Sequence, residues 1–209
     1  MKSKIKQRLD DYLEFDSDEL FQIGDPIIFG GAIRDSIADL DIHDIDILAG
    51  PRTAERLGRL IENNGYRFSD NLMIKDMVNM YIGIKIISEP WTYLKNGKII
   101  QVIRPRGDSS YGVSKLNNLF ENNYKEVIND LISEVDLSCC GVSYDGKDVH
   151  EKFPNAIVHC QRKVYIVNGN AKMKTSRLYG RMHKLQTRGW EEINEIENRD
   201  IIIDHVLEV

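Results

Sequence analysis

The chain has 209 residues, 42% of them hydrophobic and 29% charged, with a formal net charge of −5. That suits a globular unit with a sizeable core, and no apolar run approaches the ~20 residues that span a bilayer. The acidic total argues against an extended surface for gripping nucleic acid and leaves room for a local basic patch.

Met1-Lys2-Ser3-Lys4 leads into an amphipathic polar pattern rather than the apolar core of a signal peptide, so a cytoplasmic protein is expected. Ile5, Leu9, Tyr12, Leu13 and Leu20 recur at helical intervals over 4–22. Gly24-Asp25-Pro26 ends that pattern and introduces a strand over 27–29, then a short helix over 32–38 and a strand over 44–48. A helix over 52–63 turns Ala54, Leu57, Leu60 and Ile61 inward, with Gly65 as its cap. Strands are expected within 80–103, where Asn96-Gly97 marks a hairpin between 91–94 and 98–103. A polar loop over 107–111, a helix over 115–132, a strand over 135–144, a short strand over 164–167 and a helix over 172–187 stopped by Gly189 complete the order. The class is α+β, with a mixed sheet flanked by helices. We expect a core over 1–150 and a helical extension over 151–209 packed on it. Cys139, Cys140 and Cys160 are odd in number and lack Cys-x-x-Cys spacing, which points to reduced, half-buried thiols.

The chemistry concentrates in residues 30–46. The run Ile27-Ile28-Phe29 stops at Gly30-Gly31; Arg34 and Asp35 follow; Asp44 and Asp46 alternate with Ile45 and Ile47. On a strand the two carboxylates share one face while the isoleucines enter the core. Such a pair can hold Mg²⁺, and a glycine turn lets backbone N–H groups approach a phosphate.

The order Gly30-Gly31, Arg34-Asp35, then Asp44 and Asp46 resembles the head domain of the class II CCA-adding enzyme and poly(A) polymerase family, with Ile33 where that pattern has valine. The resemblance implies a polymerase-β-like nucleotidyltransferase fold and transfer of NMP from an NTP to a hydroxyl, with release of pyrophosphate. It implies Mg²⁺ or Mn²⁺ held by Asp44 and Asp46, and an RNA 3′ end, tRNA first, as acceptor. Asp136 is the candidate third metal ligand and catalytic carboxylate. Its surroundings resemble phage and large-virus relatives with a Val-Asp-Leu-x-x-Cys and Tyr-Asp-Gly pattern. Ser133-Glu134 stand where the family often has Arg-Arg.

Gly30, Gly31 and Arg34 are expected at the triphosphate, although a plain strand-to-helix turn and an Arg34–Asp35 brace explain them equally. Arg177, Arg181, Lys184 and Arg188 are spaced to share one helical face, with Leu178, Met182 and Leu185 on another. That stripe could bind a triphosphate or RNA backbone, or stand as solvated surface. Lys98 and Arg104 are weaker candidates. His43 is not expected to ligate Mg²⁺, which prefers oxygen, and His150, His159 and Cys160 are poorly spaced for zinc. The length leaves little room for the neck, body and tail of a full CCA-adding enzyme. A protein or small-molecule acceptor, a protein partner or homo-oligomer, and a silent nucleotide-binding module therefore stay open.

Overall fold

The computed structural model describes residues 1–69, 87–106, 123, 135–151, 153, 155–168 and 175–194. The helix expected over 115–132 and the loop over 107–111 lie outside the described residues.

Ile5, Leu9, Tyr12 and Leu13 form the buried stripe of α1 (Lys2–Leu13). The helix expected over 4–22 is divided: Glu14 turns left-handed at φ 62°, the Asp10 carboxylate accepts the Ser17 N–H at 2.7 Å, and the chain restarts as α2 (Asp18–Gln22). A side chain that captures a backbone donor competes with the helix ladder, which is why the periodicity of Leu20 did not reveal the break. Next come β1 (Ile27–Phe29), α3 (Gly31–Ile37) and β2 (Asp44–Leu48). In α4 (Pro51–Asn63), proline occupies the first turn, and Ala54, Leu57 and Ile61 are fully buried. Then follow β3 (Arg67–Ser69), β4 (Ile87–Lys95) and β5 (Lys98–Arg106). Asn96 and Gly97, both at positive φ, close the β4–β5 hairpin as its sequence requires.

The strand expected over 135–144 is broken. Leu137 makes an isolated bridge to Val167, Ser138–Cys140 form a tight 3₁₀ turn, and β6 is only Val142–Tyr144. The Ser138 hydroxyl is the cause: buried, it accepts the Ile166 N–H at 2.9 Å and contacts His159 Nδ1 at 2.8 Å, pulling the chain out of the ladder. β7 (Val149–Glu151), α5 (Ala156–Arg162), β8 (Val164–Tyr165), α6 (Thr175–Gln186) and β9 (Glu191–Glu192) follow.

Among the described residues the main sheet has the order β3-β4-β5-β2-β1-β6-β7, with β2 parallel to β5 and every other neighbour antiparallel. β8 and β9 form a separate parallel pair. The boundary expected at 150 falls inside β7, and Ala156, Cys160, Tyr165, Leu185 and Trp190 enter the same core as Ile28, Ile33 and Ile45. Among the described residues no helix is long and apolar enough to cross a membrane.

Candidate active site

β1 delivers the chain to a turn that only glycine makes without strain: Gly30 lies at φ 68°, ψ −126°. Its N–H donates to the Val142 carbonyl, which docks the turn on β6. A Cβ on Gly31 would reach to 3.7 Å from the Arg34 guanidinium and 3.8 Å from Asp44 Oδ1, so Gly31 keeps the floor of the site open.

Asp44 and Asp46 are half-buried while Ile45 and Ile47 are fully buried, as strand alternation demands. Asp46 lies in register with Phe29 of β1 and Gln101 of β5. The start of this strand is pinned by Tyr12 of α1, whose hydroxyl donates to the His43 carbonyl at 2.6 Å and accepts the Ile99 N–H at 2.8 Å. Burial, with the like charge of Asp44, pushes the Asp46 carboxyl up to about 8 against the opposing pull of Arg181 and Lys184. A carboxylate so placed is short of positive charge.

Gly30, Gly31, Arg34, Asp44, Asp46, Gln101, Cys140, Arg181 and Lys184 line one cavity of about 230 Å³, with Phe29, Ile103, Val135 and Leu185 as apolar wall. The structure thus brings together seven of the residues singled out in the sequence: the two glycines, Arg34, the acidic pair, Arg181 and Lys184.

Asp136 does not. It is 1% exposed and does not line the cavity, and its Oδ1 accepts from Arg181 Nη1 at 2.5 Å. Among the described residues no group of three or more His, Cys, Asp or Glu is placed to hold a metal ion. Asp136 leads into the 3₁₀ turn and is paired with Arg181. Asp44 and Asp46 remain as two hard oxygen donors on one strand, and Mg²⁺ is commonly held by one or two carboxylates plus substrate phosphates.

Arg188 also departs from the expected stripe. α6 ends at Gln186, Gly189 takes φ 79°, and Arg188 turns back to place Nη1 2.9 Å from Asp35 Oδ2 and Nη2 3.0 Å from the Asp41 carbonyl. Asp35 accepts Arg34 Nε on its other oxygen at 2.7 Å, and the Arg34 guanidinium lies 5.5 Å from the centre of the Trp190 ring. Arg188-Gly189-Trp190 therefore clasps the Arg34-Asp35 pair. The side chain of Arg177 lies outside the described residues. Lys98 is paired with Glu14 at 2.7 Å, and Arg104 approaches Glu55 at 3.9 Å and stacks on Trp91; neither lines the cavity. His159 is buried on Ser138, and His150 meets Asp145 at 2.8 Å. The three cysteines are free but fully buried rather than half-buried.

Sequence reasoning missed Tyr12, Gln101 and Cys140. Tyr12 read as one more apolar position of α1, and nothing local to Gln101 or Cys140 marks them as cavity residues.

No protein-family model matches the chain, and no curated protein matches its sequence. Solved structures do match. One is a CCA-adding enzyme complex with CTP, at TM-score 0.57 and 13% identity over 99% of this chain and 46% of that one. Another is the Thermotoga maritima CCA-adding enzyme complexed with tRNA, at TM-score 0.55 and 12% identity over 98% of this chain and 46% of that one. A third is a CCA-adding enzyme complex with ATP, at TM-score 0.54 and 14% identity over 98% of this chain and 45% of that one. The chain spans less than half the length of each. A mixed sheet flanked by helices, shared over nearly the whole chain with these structures, is the polymerase-β-like nucleotidyltransferase fold.

Proposed function

We propose that the chain is a divalent-metal-dependent nucleotidyltransferase that moves NMP from an NTP to a hydroxyl acceptor, an RNA 3′ end and first of all tRNA, releasing pyrophosphate. The observation that carries this reading is the Asp44–Asp46 pair: like charges on one strand face, one with its carboxyl pushed up to about 8, lining a cavity with a glycine turn and three cations. Asp44 and Asp46 would hold Mg²⁺ or Mn²⁺. Bound there, the ion supplies charge neutralisation at the reacting phosphorus and activation of the attacking hydroxyl.

The chain's own groups do the rest. Gly30 and Gly31 keep side chains away from the turn, so that the triphosphate can approach its backbone. Arg34, Arg181 and Lys184 face the same space and offset phosphate charge. Arg188 and Asp136 act through them, as braces of Arg34 and Arg181. Residues 1–150, as the catalytic core, carry the glycine turn and the acidic pair, and the extension over 151–209, which shares the same hydrophobic core, supplies Arg181 and Lys184 of α6 to the cavity. RNA as acceptor is supported by the fold shared with enzymes solved with CTP and with tRNA.

The test is transfer of label from each α-labelled NTP, with Mg²⁺ or Mn²⁺, to tRNA, total RNA, protein and small molecules, beside the Asp44→Ala/Asp46→Ala variant. Label in RNA that vanishes in the variant is the expected result. Label in protein or in a small molecule keeps the chemistry and replaces the acceptor. No transfer with nucleotide binding intact sinks the enzymatic reading in favour of a binding module.

A further inference from the structure

We infer that Cys140 is an anionic positioning residue of this cavity: its sulfur, as a thiolate, receives one guanidinium nitrogen each from Arg34 and Arg181 and fixes both cations in place. The inference rests on the nucleotide-site reading above.

Two elements remote in sequence converge on this one atom. From α3, Arg34 Nη1 approaches Cys140 Sγ at 3.4 Å; from α6, Arg181 Nη2 approaches it at 3.3 Å. Each guanidinium uses its fork in the same way, one nitrogen on a carboxylate and one on sulfur. Arg34 Nε goes to Asp35 and Arg181 Nη1 goes to Asp136. Asp35 is shared further with Arg188, so its second oxygen is already taken. A neutral thiol is a weak acceptor, whereas a thiolate between two guanidiniums forms charge-assisted hydrogen bonds that offset the cost of burying them.

The neighbouring thiol and the two guanidiniums favour the charged form of Cys140. The adjacent Cys139 thiol donates to it and, with the charges of Arg181 and Arg34, holds the Cys140 thiol well below the ordinary range despite burial. Burial pushes Cys139 and Cys160 the other way, so they stay neutral, and the Cys160 thiol donates to the Cys139 carbonyl at 3.2 Å. Asp35 is turned to Arg34 and Arg188, whereas Asp136 gives one oxygen to Arg181, and burial together with the like charge of Cys140 pushes its carboxyl up. Of the three buried sulfurs, only that of Cys140 lines the cavity.

Thiolate ultraviolet absorbance measured against pH, wild type minus Cys140→Ser, tests the charge without any nucleotide. The expected difference is already present at about pH 6, below the free-thiol value of about 8.5. A difference that rises only above that value overturns the inference. If Cys140→Ser does not fold, Cys160→Ser keeps the Cys139–Cys140 pair, and the absorbance of one thiolate is expected there already at about pH 6. In the transfer assay, Cys140→Ser raises KM for the NTP about tenfold, the worth of one charge-assisted hydrogen bond, with a smaller change in kcat. Cys140→Asp, which restores the charge, brings KM back. An unchanged KM in Cys140→Ser, or a Cys140→Asp variant no better than it, refutes the positioning role. An enzyme without transfer activity defeats the function reading alone, because the absorbance titration still reports the thiolate.

Discussion

On the β2 side of the cavity, two carboxylates of like charge stand two residues apart, and the chain leaves them short of a counter-ion: Asp46 holds its proton up to about pH 8. On the α6 side, Arg181 is tied to Asp136 and Cys140, and Arg188, just beyond the helix, is tied to Asp35. The first side is frustrated until a cation arrives, whereas on the second the guanidiniums of Arg181 and Arg188 are already engaged, with Asp136 Oδ2, among the described residues, the one oxygen of the Asp35 and Asp136 carboxylates left without a hydrogen bond. Unrelieved charge marks the place where chemistry is left to a ligand, whereas compensated charge marks the scaffold that holds the cations in place.

Removing frustration should harm activity and help the fold. Asp46→Asn is expected to lower transfer by about a hundredfold or more, the scale of losing a principal charge-stabilising group. The same variant should melt at a higher temperature than wild type in metal-free buffer above pH 8, read by calorimetry. Lower stability there would break the contrast. Removing compensation should do the reverse. Arg188→Ala strands the buried Asp35 carboxylate between fewer donors and is expected to cost about 3 kcal/mol in denaturant unfolding. A loss below measurement error would mean that the clasp is ornamental.

A pH series sharpens the comparison further. Asp46 binds its proton more tightly folded than unfolded, so its contribution to metal-free stability is full below an ordinary carboxylate value of about 3.9 and is lost as pH rises through about 8. Mg²⁺, which binds the ionised form of the native state, should restore stability at the alkaline end and do little at the acid end. The smallest effect belongs to Tyr12→Phe. The hydroxyl joins His43 to Ile99 at the root of the acidic strand, and its loss should cost about 1 kcal/mol in denaturant unfolding. If metal affinity falls with it, the clamp also aims Asp44.

The acidic side was legible because it is local. Gly30-Gly31, Arg34-Asp35 and Asp44-Ile45-Asp46 lie within seventeen residues, and strand alternation alone assigns the carboxylates to one face. The hairpin at Asn96-Gly97 was legible for the same reason, since two positive-φ residues in a row mark one turn type. The other side was misread where helical periodicity was extended past its end. Arg188 fits the stripe of Arg181 and Lys184 by count, but Gly189 turns the chain and aims it at Asp35. Asp136 was assigned to a strand face from its neighbours Val135 and Leu137, yet Ser138 folds that strand into a 3₁₀ turn and delivers Asp136 to Arg181.

The sequence by itself determined the α+β order, the glycine turn and the paired carboxylates, because these follow from dihedral preference and the two-residue strand repeat acting over a few neighbours. Beyond the adjacent Arg34–Asp35 pair, tertiary structure alone decided which cation meets which anion. The carboxylates that Arg181 and Arg188 meet, and the Cys140 sulfur that Arg34 meets, come from elements far apart in the chain, and Coulomb attraction depends on distance in space, which no local spacing encodes.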